Sequence, residues 1–258
     1  MTLFLVVVSV LFGLTVGSFL NVVVYRVPAG LSVARPRSAC PGCGQMIRSR
    51  DNIPLLSWLV LRGRCRDCAT PISIRYPAIE LLTAVLFAGA ALRFGSSWTL
   101  PAVAVFFAGL VALAAVDLER YLLPKKIVYP TGLLAGALLV AAAVATGQWS
   151  RLGVAAICAG AAFGLFFLLN FVNPKWLGFG DVRLAAVIGA VLGWLGAFYV
   201  IAGLLLANIA GLIVIIGLMA SGRANRRTPV PYGVFLAAGA VGAVFFGGSF
   251  AHLLRPGG

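Results

Sequence analysis

Two aspartates, Asp117 and Asp181, stand at the ends of long apolar segments in a chain with only six acidic residues. An ionisable side chain at a membrane-helix end is costly to place and marks a functional site by default. Two neighbouring carboxylates cannot both ionise cheaply, so one keeps its proton while the other acts as a base. Such a pair can activate a water and polarise a carbonyl, with no nucleophilic side chain. Other hydrolytic chemistries lack their parts. The single histidine, His252, lies near the C-terminus, at the outer face of the expected topology. Neither a Ser-His-Asp triad nor a two-histidine metalloprotease site can therefore be built at the inner face.

The other acidic residues have plainer readings. Asp51 and Asp67 lie in an arginine-rich stretch, where they are solvated or ion-paired, and Glu119 reads as a loop residue. Glu80 stands one turn into an apolar segment and reads equally well as a helix-end carboxylate paired with Arg75 or as a site residue. Asp181 follows Gly178-Phe179-Gly180 and could cap the next helix, a role compatible with catalysis. Gly178 and Gly180 permit backbone conformations that bring a substrate strand close. The helix ends predict different roles for the pair. Asp117, at a helix C-terminus, reads as the protonated partner, and Asp181, at a helix N-terminus, as the base.

The elements that must position these residues are membrane helices. The chain is 62% hydrophobic, with a mean hydropathy of +1.06, too apolar throughout for a soluble domain. Runs of about 20 apolar residues each suffice to cross ~30 Å of hydrocarbon. Eight are legible, at roughly 3–25, 77–92, 98–118, 127–146, 152–171, 182–197, 198–220 and 232–252. Backbone groups in lipid must be satisfied within the segment, so an all-α polytopic membrane protein is expected. The first segment lacks a basic flank and a clear cleavage site and reads as a retained helix.

The chain then divides into a first transmembrane helix at 1–26, a loop at 27–75 and a seven-helix core at 76–258. With the N-terminus outside, the inner loops carry 17 basic residues, among them Arg183, Lys175, Arg226 and Arg227, and the outer side only Arg93, Arg151 and Arg255. That asymmetry accounts for the net charge of +14 as topology rather than nucleic-acid binding. A smaller share of the charge would attract anionic lipid.

The loop is too short to build much core and needs a staple. Cys40-Pro-Gly-Cys43 and Cys65-Arg-Asp-Cys68 form two CxxC knuckles separated by 21 residues. Four thiolates so spaced suit a closed, structural, tetrahedral zinc site. A disulfide pair is the other reading, disfavoured in a cytosolic loop. Cys158 lies alone within a span and reads as a packing residue.

Taken in order, these pieces resemble the prepilin peptidases, the type IV leader peptidases of bacterial pilus and type II secretion systems. The matching residues are Gly17-Ser18-Phe19-Leu20-Asn21 with Tyr25-Arg26-Val27-Pro28, the CxxC pair, Asn52-Ile53-Pro54-Leu55-Leu56-Ser57-Trp58, Arg75-Tyr76-Pro77 with Glu80, Asp117 with Leu123-Pro124, Gly178-Phe179-Gly180-Asp181, and Pro231-Tyr232-Gly233. GxGD alone is weak; the ordered set is specific. The resemblance implies that Asp117 and Asp181 form an aspartic peptidase dyad at the cytoplasmic face of the bacterial inner membrane. It implies cleavage of a basic leader after glycine and, in many members, N-methylation of the new N-terminus with S-adenosylmethionine. Two positions depart from the family pattern: Lys125 replaces an aspartate after Leu-Pro, and Arg183 replaces a lysine after GxGD. Neither touches the dyad. The competing classes are a proton-coupled transporter with Asp117, Asp181 and Glu80 as a relay, and a silent membrane scaffold. A relay would place its carboxylates near the midplane, and a scaffold leaves the paired aspartates unexplained.

Overall fold

A computed structural model describes residues 1–174, 177–223 and 230–253. Lys175, Arg226, Arg227 and Arg255 lie outside the described residues, and His252 falls in the last turn of the final helix. Among the described residues the chain is helical and contains no strand. The helices are α1 (Thr2–Arg26), α2 (Leu56–Val60), α3 (Arg75–Phe94), α4 (Thr99–Arg120), α5 (Lys125–Thr146), α6 (Trp149–Val172), α7 (Phe179–Leu195), α8 (Ala197–Ala220) and α9 (Tyr232–Leu253). Six of them, α1, α3, α4, α5, α6 and α8, are long and apolar enough to cross a membrane, and the apolar part of α9, Tyr232–Gly248, is shorter. The eight long helices follow the eight apolar runs of the sequence, because each run satisfies its own backbone only as a helix. α7, at 17 residues, is the shortest of the eight.

The chain forms two compact units, Met1–Ser96 and Ser97–Gly258. In the first, α1 and α3 run antiparallel. Their registry follows from two glycines on one face of α1. A methyl group on Gly13 would sit 2.7 Å from the Ala84 Cα, and one on Gly17 2.7 Å from the Glu80 Cα. Small residues at this spacing let membrane helices approach backbone to backbone. One turn further along α1, the buried Asn21 amide donates to the Tyr76 carbonyl at 3.1 Å. Between the two helices, residues 27–74 form an arginine-rich module around the four cysteines, and α2 is its one short α-helix. Trp58 ties α2 down, its indole N–H donating to the Ile72 carbonyl at 3.1 Å.

In the second unit, α7 is central and packs against α5, α6, α8 and α9, while α4 packs against α5 and α9. Its core includes Phe106, Phe107, Leu110 and Leu113 of α4, Leu139 of α5, Leu184, Ile188, Leu192 and Trp194 of α7, and Leu236 of α9, all fully buried. The indole N–H of Trp194 donates to Thr99 Oγ1 at 3.0 Å and so satisfies its one polar atom. Cys158 is buried where α6 meets Gly189 and Gly193 of α7, which fits its reading as a packing residue.

Candidate active site and metal centre

Asp117 lies in the last turn of α4, and its own carbonyl accepts the Tyr121 N–H at 2.9 Å as the helix ends. Its side chain is buried, 5% exposed. The carboxylate stands against the first turn of α9, beside Gly233. Oδ2 is buried and has no protein donor of good geometry. The contact is close: a methyl group on Gly233 would stand 2.9 Å from Asp117 Oδ2 and 2.8 Å from a Leu123 methyl.

Asp181 is the third residue of α7. Gly178 occupies the cap position, and Asp181 Oδ2 reaches back to accept the Gly178 N–H at 3.2 Å. The carboxylate thus closes half of a capping box rather than being the cap residue itself. Gly180 lies against Leu123, with a would-be methyl 2.8 Å from the Leu123 Cβ. Leu123 therefore packs on both Gly180 and Gly233, joining the α4–α5 turn to the starts of α7 and α9. Asp181, next to Gly180, and Asp117, beside Gly233, are thereby brought to the same end of the unit. The Tyr232 hydroxyl donates to Asn208 Oδ1 at 3.4 Å.

This arrangement reduces the contrast between helix ends expected from sequence. Asp181 meets the N-terminus of its own helix, and Asp117 meets that of α9. Both carboxylates therefore stand beside a helix N-terminus, and Asp117 alone also ends a helix, which narrows the contrast between the two. In the sequence Gly233 and Leu123 stand out only as members of short motifs, and Val234 not at all. Their roles depend on a contact between residues over 100 positions apart. Gly233→Ala should lower turnover by about 10- to 100-fold, because displacing a positioned group by ~1 Å has effects of that size. The check is a kinetic assay on a variant whose helicity and membrane insertion match the parent.

Arg183, two residues past Asp181, lies over the rings of Phe179 at 4.6 Å and Tyr129 at 5.5 Å. Glu80, in the other unit, is buried at 8% exposure, and its Oε2 accepts the Leu55 N–H at 2.8 Å. No Glu80–Arg75 ion pair occurs among the described residues; the carboxylate pins the module's Asn52–Leu56 turn instead. Leu55 there adopts φ 58°, a left-handed conformation uncommon for a leucine. Glu80→Ala would strand a part-buried N–H and should destabilise the docking of this turn by about 1 kcal/mol. Faster hydrogen exchange at Leu55 and lower thermal stability would register it.

The four cysteines converge. The Sγ atoms of Cys40, Cys43, Cys65 and Cys68 all lie within 4.8 Å of one another, and the Cys40–Cys68 separation is 3.7 Å. A zinc–sulfur bond of about 2.3 Å gives a tetrahedral edge of about 3.8 Å, so the set fits zinc; a disulfide needs about 2.0 Å. Each CxxC pair is folded the same way. The Cys40 N–H donates to the Gln45 carbonyl at 2.9 Å and the Gly44 N–H to the Cys40 carbonyl at 2.8 Å. In the second knuckle the Cys65 N–H donates to Thr70 at 2.8 Å and the Ala69 N–H to Cys65 at 3.0 Å. The turn needs a positive φ one residue after the second cysteine of each pair, met by Gly44 at 73° and Ala69 at 57°. The Gly42 N–H points at Cys40 Sγ, 3.4 Å away, and the Thr70 hydroxyl lies 3.1 Å from Cys68 Sγ. Both could donate to thiolates in a metal-bound set.

The rest of the module is held by ion pairs. Arg66 forks onto Asp51 at 2.6 Å, and Arg48 meets Asp67 at 2.9 Å. The Arg66 guanidinium holds the Asp51 carboxyl below the usual carboxylate range. Its pairing therefore supports the fold fully above a pH of about 4 and is lost only as pH falls through the lowered folded value.

Comparison with known proteins follows the division of the chain. The family described as the bacterial peptidase A24 N-terminal domain matches residues 11–94, and the type IV leader peptidase family matches residues 104–254. A prepilin leader peptidase/N-methyltransferase of Myxococcus xanthus (strain DK1622) is 45% identical over 222 residues, covering 84% of this chain and 64% of that protein. The chain thus spans just under two thirds of that relative. One of the same name from Burkholderia pseudomallei (strain 1026b) is 38% identical, covering 95% of this chain and 87% of that protein. Another from Aeromonas hydrophila is 37% identical, with coverages of 94% and 91%. No solved structure matches the chain.

Proposed function

Since the chain belongs to the type IV leader peptidase family, we propose that it is a membrane-embedded aspartic endopeptidase that removes the basic leader of prepilins or pseudopilins after glycine. The observation that carries this reading is the convergence of Asp117 and Asp181 around Leu123, which packs on Gly180 beside the one and on Gly233 against the other. One carboxylate takes a proton from the attacking water. The other, protonated, hydrogen-bonds the scissile carbonyl and stabilises the oxygen as charge develops on it. When the amide breaks, the carboxylate that took the water's proton delivers it to the leaving amine, and the pair returns to its starting state. The Gly178 amide holds Asp181 and the first turn of α9 abuts Asp117, so the two carboxylates are placed before substrate arrives. The space beside Gly180 is taken by Leu123 rather than left for substrate, so of the two glycines expected to bring a substrate strand close only Gly178, next to Asp181 Oδ2, is placed to do so.

In this reading residues 27–75 form a zinc module held by Cys40, Cys43, Cys65 and Cys68. A closed set of four thiolates supplies structure and no reactive position. The module and the dyad lie at the cytoplasmic face of the bacterial inner membrane, with the N-terminus outside, consistent with the basic inner loops. The relatives' names support a second activity, transfer of a methyl group from S-adenosylmethionine to the amine that cleavage exposes. No described residue is assigned to that cofactor, and no step of the cleavage passes through it. Nothing supports a proton relay, because both carboxylates sit at helix ends rather than at mid-helix.

The test is direct. Purified protein is incubated with a membrane-anchored prepilin, with and without S-adenosylmethionine, and the products are weighed. Loss of the leader is expected in both cases, with a further 14 Da, one methyl replacing hydrogen, only when the methyl donor is present. An intact substrate after prolonged incubation would overturn the peptidase reading.

A further inference from the structure

The short helix α2 presents an apolar stripe that no described residue covers. Ile53, Leu56, Leu59 and Val60 are 49%, 58%, 63% and 70% exposed. Their spacing puts them along one side of the helix and the turn before it, while Trp58 on the other side is tied to Ile72. Large aliphatic side chains clustered on one face of a polar, arginine-rich module mark a contact surface.

The depth of this stripe is fixed by Glu80. The Leu55 N–H bonds to Glu80 Oε2 at 2.8 Å, and Glu80 lies five residues inside α3, which begins at Arg75. Five residues of helix are about 7.5 Å. A helical side chain leans back toward the N-terminus, so the turn that launches α2 lies beside the first turns of α3, where that helix becomes apolar. Gly17 of α1 and Glu80 of α3 meet at this level too. Interfacial helices bury their apolar face about 5–10 Å into the boundary between headgroups and acyl chains, and a stripe beside the first turns of α3 is placed for that.

The charge around it matches the same environment. Arg50 lines a shallow depression together with Ile53, Leu56 and Val60, and Arg62 follows Val60 by two residues. Both are exposed and neither is in an ion pair among the described residues, whereas both aspartates of the module are already engaged by Arg66 and Arg48. Arginines beside an apolar stripe favour an anionic lipid surface. A basic leader peptide would meet repulsion there.

We propose that residues 53–60 form an interfacial anchor, seated in the headgroup region of the bilayer with Arg50 and Arg62 on anionic lipid phosphates. It clamps the cysteine module to the membrane surface at a third point, besides its two covalent connections to α1 and α3. The occupant of the apolar stripe is lipid rather than a second protein.

The full chain, reconstituted in nanodiscs of phosphatidylglycerol or phosphatidylcholine, each with a few per cent of a phospholipid carrying a photoreactive diazirine high on its acyl chain, supplies the test. After irradiation, adducts are mapped by peptide mass. Adducts are expected on the segment 53–60 in phosphatidylglycerol, several-fold fewer in phosphatidylcholine, and fewer again with Leu56→Ser/Leu59→Ser/Val60→Ser. Arg50→Gln/Arg62→Gln should shrink the difference between the two lipids while leaving adducts on α1 unchanged. The first result comes from unmodified protein, so it does not depend on the folding of any variant. Segment 53–60 free of lipid adducts while α1 and α3 are labelled would overturn the proposal, as would cross-links joining it to another protein segment.

Discussion

Asp117→Asn and Asp181→Asn should each slow prepilin cleavage at least about a thousandfold, the upper range of what positioned acid–base groups contribute. Neither substitution should disturb folding. An asparagine amide is close in size to the carboxylate, and Asp181→Asn still offers an oxygen to the Gly178 N–H. What each removes is the ability to exchange a proton, and the proposed mechanism needs one group to take a proton and one to give it. The double variant should be little slower than either single one, because residues that act as a unit are not additive. Asp→Glu at either position should also fail, since an added methylene moves the carboxylate by more than a positioned site tolerates. The site at Asp117 has little slack: Gly233 has no room even for a methyl group beside Oδ2. The measurement is single-turnover cleavage in detergent or nanodiscs, with helicity and insertion checked in parallel. A correctly inserted Asn variant that cleaves at more than about a tenth of the parent rate would remove that residue from the chemistry.

Loss of the metal should be the largest effect on structure. One zinc per chain should copurify under reducing conditions, and Cys43→Ser or Cys68→Ser should abolish it. The module has few buried apolar groups of its own: Leu56, Leu59, Val60, Met46 and Ile74 are all exposed. Its two knuckles are bound to each other chiefly through the thiolate cluster. Structural zinc contributes on the order of 10 kcal/mol to the folding of comparably small modules, far more than the two surface ion pairs can supply. Removal by a chelator should therefore make residues 27–75 sensitive to protease, while α4–α9 stay protected. Metal analysis that finds no zinc in an active preparation would refute this, as would a module that resists protease after the metal has gone.

The sequence by itself determined a good deal. Eight apolar runs become eight long helices because a chain in hydrocarbon has no other way to satisfy its backbone. The two CxxC pairs were legible as one cluster, since local turns of fixed length place each pair and four soft ligands then want a single centre. Asp117 and Asp181 stood out through scarcity: few carboxylates occur in so apolar a chain, and two of them mark helix ends. Glu80 was legible only as a choice between roles. Its partner, the Leu55 amide, is a backbone group 25 residues away, and no side-chain pattern announces a backbone donor.

Only the tertiary structure decided how the two aspartates differ in surroundings. Sequence places Asp117 at the C-terminus of α4, and a local dipole would set it apart from Asp181. In the fold the start of α9 comes down on Asp117, so that Gly233 stands against the carboxylate. The helix that a residue belongs to is read from its neighbours in sequence, but the field it sits in comes from whichever helix end packs against it. That packing is set by Leu123 filling the space left by the absent side chains of Gly180 and Gly233, a three-way fit between segments that are distant along the chain and whose meeting no local rule encodes.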